Sequence, residues 1–303
     1  MDKNGRTPLH AACCNSQVDA VRLLLDKGAE VDRADKWGQT PLLFACQNGH
    51  VDAARLLLEK GAAVDRAMKD GTTPLYIACM SGHVDAVRLV LAKGAAINRA
   101  RNGGFTPLSI ACQKGHVDVA RLLLDKGAAV DKAEEGGWTP LNIACSYGHV
   151  DAARLLLDKG AEVERAAKDG VTPLWIACQS GHVDAAGLLL DKGAEVNRAR
   201  NNGATPLLVA CQNGHVDAAQ LLLSRFEVCF SKFQCEQRVP PRAHEQNPPD
   251  ALPAHRAGDH RQPRLQTSRD AMWTAEVHCQ NQHDGFRRRV QCQAQQQRTF
   301  QAR

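Results

Sequence analysis

Residues 38–62 read Gly38-Gln39-Thr40-Pro41-Leu42-Leu43-Phe44-Ala45-Cys46-Gln47-Asn48-Gly49-His50-Val51-Asp52-Ala53-Ala54-Arg55-Leu56-Leu57-Leu58-Glu59-Lys60-Gly61-Ala62. Thr40 is a good helix N-cap, and Pro41 suits the first helical position because its fixed φ is helical and its missing N–H would be unpaired there anyway. A short helix therefore starts at Thr-Pro, with Leu42, Ala45 and Cys46 at the spacings of one apolar face. Gly49 ends it. His50 leads into a second helix whose early Asp52 complements the positive end of the helix dipole. Leu56-Leu57-Leu58 forms its buried ridge, Lys60 sits at the favourable C-terminal end, and Gly61 supplies a left-handed stop. The connection that follows, through Val64 to the turn-prone Asp70-Gly71, reads as an extended hairpin projecting sideways.

Working outward, Thr-Pro recurs at 7, 40, 73, 106, 139, 172 and 205, with no insertion or deletion between copies. Helices this short are marginal alone, because helix stability in proteins comes mostly from packing an apolar face. Stacking is thus obligatory, and the copies form a one-dimensional core in which each unit touches only its neighbours. Thr-Pro-Leu-x-x-Ala, Gly-His-Val-Asp, Leu-Leu-Leu-x-x-Gly-Ala and the 33-residue period, together covering about 220 of 303 residues, resemble the ankyrin-repeat family. The resemblance implies an all-α solenoid of stacked antiparallel helix pairs with projecting hairpin loops, used as a protein-binding scaffold. One departure stands out. The family's His after Thr-Pro-Leu survives only as His10, and Leu43, Tyr76, Ser109, Asn142, Trp175 and Leu208 occupy the equivalent positions, so the polar ladder that His builds is not expected to persist.

Composition narrows the function. Aromatic residues make up only 4%, which suits a core of Ala, Val and Leu between small helices. The start is polar, and no apolar run approaches the roughly 18 residues a membrane helix needs, so the reading is of an intracellular protein, cytoplasmic or nuclear, with no membrane partner. Lys and Arg balance Asp and Glu at 25 each in the first 223 residues, so the net charge of +5 lies in the remainder, which has 13 basic against 8 acidic residues. A basic-surface argument for nucleic acid can apply only there.

Two periodic columns look chemical. His50, His83, His116, His149, His182 and His215 recur once per unit, as do Cys13, Cys46, Cys79, Cys112, Cys145, Cys178 and Cys211. Stacked helices lie roughly 8 to 10 Å apart. Equivalent residues are then too far apart to share one zinc, whose ligands lie at about 2.0–2.3 Å, or to form a disulfide, whose Cα atoms lie about 4.4–6.8 Å apart. The columns read as small core residues and turn-fixing histidines, and no metal, cofactor or catalytic residue is expected. An enzyme is also not expected because no phosphate loop, metalloprotease or kinase motif is present. Arg22, Arg55, Arg121 and Arg154 each have an acid four residues on, Asp26, Glu59, Asp125 and Asp158, which reads as a solvated face of i,i+4 pairs.

On so constant a frame, the columns that vary carry recognition. Of seven aromatics before residue 224, only Phe44 occupies a core column. The other six, Trp37, Tyr76, Phe105, Trp138, Tyr147 and Trp175, fall on hairpins, first helices or turns. With Met80 and Arg101 they are expected to line the concave face and hairpin tips that hold a protein partner, since exposed aromatics and Arg are the usual interface anchors. The alternative is that some merely cover neighbouring hairpins. A monomer is expected.

The array reads as residues 1–223. The first unit, with Ser16-Gln17 in place of Gly-His, suits a modest cap, whereas the seventh stops uncapped after Leu223. Residues 224–303 hold 13 Gln and six of the 13 prolines with no sustained period, and read as a disordered Gln/Arg/Pro-rich tail. A second reading of the tail is out-of-frame translation of further repeats: Ala271-Met272-Trp273-Thr274 must be encoded GCN-ATG-TGG-ACN, and starting one base earlier gives His, Asn, Asp or Tyr followed by Val-Asp, the turn motif. A further alternative is a nucleic-acid-associated adaptor, for which Arg287-Arg288-Arg289 in the basic tail is the candidate contact.

Overall fold

The computed structural model describes residues 1–225, so both readings of the tail lie almost wholly outside the described residues. The helices are α1 (Pro8–Cys14), α2 (Val18–Asp26), α3 (Pro41–Gln47), α4 (Val51–Glu59), α5 (Pro74–Ser81), α6 (Val84–Ala92), α7 (Pro107–Lys114), α8 (Val117–Asp125), α9 (Pro140–Ser146), α10 (Val150–Asp158), α11 (Pro173–Ser180), α12 (Val183–Asp191) and α13 (Pro206–Gln212). A further helical segment spans 216–225. Odd-numbered helices are the Thr-Pro helices of successive units, and even-numbered ones carry the leucines. No strand occurs among the described residues. The connections expected as extended hairpins are turns, closed by bonds such as Met68 N–H to the Thr72 carbonyl at 2.9 Å.

The helix signals act locally as their chemistry dictates. From α3 onward, the Thr before each odd helix is extended and its hydroxyl accepts from the N–H three residues on: Tyr76 to Thr73 at 3.1 Å, Ser109 to Thr106 at 3.1 Å, Trp175 to Thr172 at 3.1 Å. Each such cap is worth about 1 kcal/mol. The even helices end at Lys and then a left-handed glycine, as at Gly61 with φ +91°. Their Asp at the second position faces the positive helix end.

The core is one continuous column. Leu42, Ala45, Cys46 and Leu57 are fully buried, as are their equivalents in the middle units. Ala and Cys are small, so odd helices approach one another closely, and they pack more intimately on their neighbours than the even helices do. Several kinds of contact cross between units, and three of them bear on the readings above. Each hairpin tip donates one backbone bond to the tip before it, as from Asn102 N–H to the Asp70 carbonyl at 2.9 Å. Each turn histidine reaches back 36 residues through Nε2, His50 to the Cys14 carbonyl at 3.0 Å and His149 to the Gln113 carbonyl at 3.0 Å. The rings thus pin one unit to the previous one as well as fixing a turn. Gly115 must be glycine for this reason, since a Cβ there would lie 2.7 Å from His149 Nδ1.

The third contact corrects the reading of the charged face. The acids that end three of the even helices, α2, α8 and α10, pair across the unit boundary with a lysine: Asp26 with Lys60 at 2.9 Å, Asp125 with Lys159 at 2.8 Å, Asp158 with Lys192 at 2.8 Å. The lysine holds the Asp125 and Asp158 carboxyls below the usual range. Stacking brings these residues alongside one another, whereas the arginines of the expected i,i+4 pairs point to solvent.

Candidate partner-binding surface

The variable columns divide by geometry into three groups. Trp37 and Tyr147 are open to solvent, at 42% and 53% exposure. Trp37 sits at the first hairpin tip with Lys36 Nζ 4.2 Å from its ring centroid and Arg6 Cζ at 5.5 Å. These cations favour the ring face and keep the tip positive. Tyr147 ends α9, accepts a hydrogen bond from Gln113 Nε2 at 2.7 Å, and lies parallel to His149 with centroids 6.4 Å apart. These two contacts favour one orientation of the exposed ring.

Met80, Phe105 and Trp138 are half-buried and rest on the core. Arg101 is exposed at the third tip and paired with Asp70 at 3.4 Å.

Tyr76 and Trp175 depart from expectation. They are 2% and 3% exposed and belong to the core. Both occupy the third position of an odd helix, where the side chain points at the next unit's hairpin rather than outward. Trp175 Nε1–H donates to the Ala204 carbonyl at 2.9 Å, beneath Arg200, whose guanidinium lies 5.2 Å from the ring and pairs with Asp169 at 2.7 Å. Burial raises the Tyr76 hydroxyl pKa, partly offset by Arg101. As they stand, neither ring can serve as an exposed anchor.

This same column also retains part of the polar ladder that the loss of His seemed to remove. His10 Nε2 donates to the Gln39 carbonyl at 3.0 Å, Asn142 Nδ2 to the Val171 carbonyl at 3.3 Å, and Trp175 Nε1 to the Ala204 carbonyl, each 29 residues on. Leu43 and Leu208 have no donor, and Ser109 is too short, its hydroxyl turning back to Thr106 at 2.8 Å. The cations beside the aromatics, Arg6, Lys36 and Arg200, were overlooked in the sequence, although each lies in or near the tip column next to an aromatic one.

The buried cysteines of the repeat column are inert by environment. Burial pushes Cys46 and Cys112 to about 12, leaving negligible thiolate at neutral pH. Among the described residues no group of three or more His, Cys, Asp or Glu could hold a metal, and no helix is long and apolar enough to cross a membrane. Two depressions, of about 450 Å³ beside Arg6, His10 and Phe44 and about 530 Å³ beside Gly187 and Leu221, are open troughs between units.

Fold and surface together define a helical-repeat scaffold whose distinctive side chains lie on its tips and first helices. Comparison with known proteins identifies the repeats. The family model for ankyrin repeats (3 copies) matches residues 30–101, 63–134, 98–167 and 164–231, and that for a single ankyrin repeat matches 4–36. The chain belongs to the ankyrin-repeat family. It is similar to the crystal structure of the human ASB11 ankyrin repeat domain, with a TM-score of 0.67 and 32% identity over 73% of this chain and 98% of that one. No curated protein sequence matches it. Ankyrin repeats are generally protein–protein interaction scaffolds and typically non-enzymatic.

Proposed function

We propose that this chain is a non-enzymatic adaptor that grips one partner protein with its hairpin tips and the outward ends of its first helices. Trp37 and Tyr147 are the main anchors, and Met80, Arg101, Phe105 and Trp138 line the surface between them. The observation that carries this reading is the contrast between constant and variable columns. Most repeat positions that pack are nearly invariant, the third position of the odd helices being the exception, yet two large aromatics stand exposed at a tip and a turn, each in contact with a neighbouring side chain. A folded chain gains little from such rings, whereas an interface gains about 2 kcal/mol or more from a buried aromatic anchor.

The test is affinity capture with the full chain, followed by the same capture with Trp37→Ala and Tyr147→Ala combined. The expected outcome is a loss of the partner by at least about tenfold in affinity, equivalent to about 1.4 kcal/mol, with the unfolding midpoint unchanged. Retention of full affinity would remove both residues from the interface.

A further inference from the structure

Seven histidines lie on the stack, and one is wired differently from the rest. Each turn histidine forms its single hydrogen bond through Nε2 to a backbone carbonyl. A carbonyl only accepts, so these rings donate through Nε2, and their Nδ1 makes no hydrogen bond among the described residues. His10 uses both nitrogens. Its Nε2 donates to the Gln39 carbonyl at 3.0 Å, so Nδ1 is the basic nitrogen, and it accepts from Thr7 N–H at 3.0 Å and meets the Thr7 hydroxyl at 2.8 Å. No proton can be added to Nδ1 without depriving Thr7 N–H of its acceptor. The ring is also buried, edge-on to Phe44 with centroids 5.7 Å apart, so a charge there would lose its hydration.

From these contacts we propose that the first unit is an acid-sensitive cap: protonation of His10 unfastens the start of α1 and its seat on the second unit, while the other units stay stacked. The charged groups around the ring do not rescue the imidazolium. Before α1, Arg6 opposes it. From the first hairpin, buried Asp35 favours it but is already paired with Arg6 at 3.5 Å, and Arg33 approaches through its backbone. In α3 the facing side chain is Phe44, and in α2 the charged residues Asp19, Arg22 and Asp26 are all exposed. Beyond Arg6, the trough carries Asp2, which accepts from the Arg6 and Asn4 backbone.

The pKa of His10 is lowered from 6.5, chiefly by burial. A histidine whose folded pKa lies below its unfolded value stabilises the fold fully above the unfolded value. That stability declines as pH falls from about 6.5 towards the folded value, because the unfolded state binds the proton more readily. Within that window local opening of α1 increases by up to about tenfold per pH unit.

The chain contains its own control. In the fifth unit Asn142 reproduces the arrangement without a titratable group: Oδ1 accepts from Thr139 N–H at 3.0 Å and from its hydroxyl at 2.6 Å, while Nδ2 donates to the Val171 carbonyl at 3.3 Å. Amide exchange in the full-length protein, corrected for intrinsic rates, should therefore show protection of residues 8–14 falling about tenfold between about pH 7 and pH 5, with 140–146 unchanged. In His10→Asn the pH dependence of 8–14 should vanish. Flat exchange of 8–14 in the wild type, or an equal fall in His10→Asn, overturns the proposal. Should His10→Asn lack protection of 8–14 even at neutral pH, the ring titration of wild-type His10 by NMR decides. Loss of α1 protection that follows the His10 midpoint supports the proposal, and loss that follows another histidine overturns it.

Discussion

Trp37 and Trp175 are the same residue type, both in variable columns, both beside an arginine, and they have opposite fates. Trp37 stands at a hairpin tip, nearly half exposed, with Lys36 and Arg6 against its ring. Trp175 is buried at the third position of α11, with its indole N–H on the Ala204 carbonyl. The tip column points away from the stack, and the third helical position points into the next unit. A column that varies is therefore not automatically a recognition column. It can instead be a joint, where several side chains satisfy one inter-unit contact in different ways.

The largest effect should come from breaking the joint. Trp175→Ala removes a buried aromatic and its hydrogen bond to Ala204, and should cost about 3–5 kcal/mol. This is measurable as a fall in the denaturant midpoint. Loss should be greatest between the sixth and seventh units, since each unit contacts only its neighbours. A change below about 0.5 kcal/mol, the range typical of surface substitutions, would mean that Trp175 is not the peg its burial indicates.

Asn142→Leu sharpens the same comparison. Leu43 fills this column in the second unit, so a leucine is accommodated in the fold. The substitution deprives Thr139 N–H and the Val171 carbonyl of partners, both in the core. It should cost about 1–3 kcal/mol, and calorimetry of the full chain would measure it. Trp37→Ala, by contrast, should leave stability within about 0.5 kcal/mol of wild type.

The period, the helix pairs and the buried cysteine column were legible in the sequence because they rest on local rules. Thr-Pro starts a helix wherever it stands, and a left-handed glycine stops one. The aromatic column was not, because the direction of residues 76 and 175 depends on how the following unit docks. A chemical clue was nonetheless present: His10, Asn142 and Trp175 each carry a side-chain N–H donor, at positions otherwise filled by Leu, Ser or Tyr. The exposure of Trp37 and Tyr147, at a tip and a turn, was readable for the opposite reason, since tips and turns end in solvent whatever the docking.

The exposed ion pairs lie at the small end of the comparison. Asp158 and Lys192 meet at 2.8 Å on the even-helix face, whereas the partner expected for Asp158 was Arg154, four residues before it. The structure selects the lysine. A selected partner is not necessarily a stabilising one, because two long or flexible side chains in water give up entropy and hydration for a screened attraction. Lys192→Ala should leave the unfolding midpoint indistinguishable from wild type and equally insensitive to added salt. Should the midpoint fall, and the fall disappear at high salt, then the row of cross-unit pairs at Asp26, Asp125 and Asp158 acts cooperatively. The outer face would then contribute to cohesion that the present geometry assigns to the first-helix core.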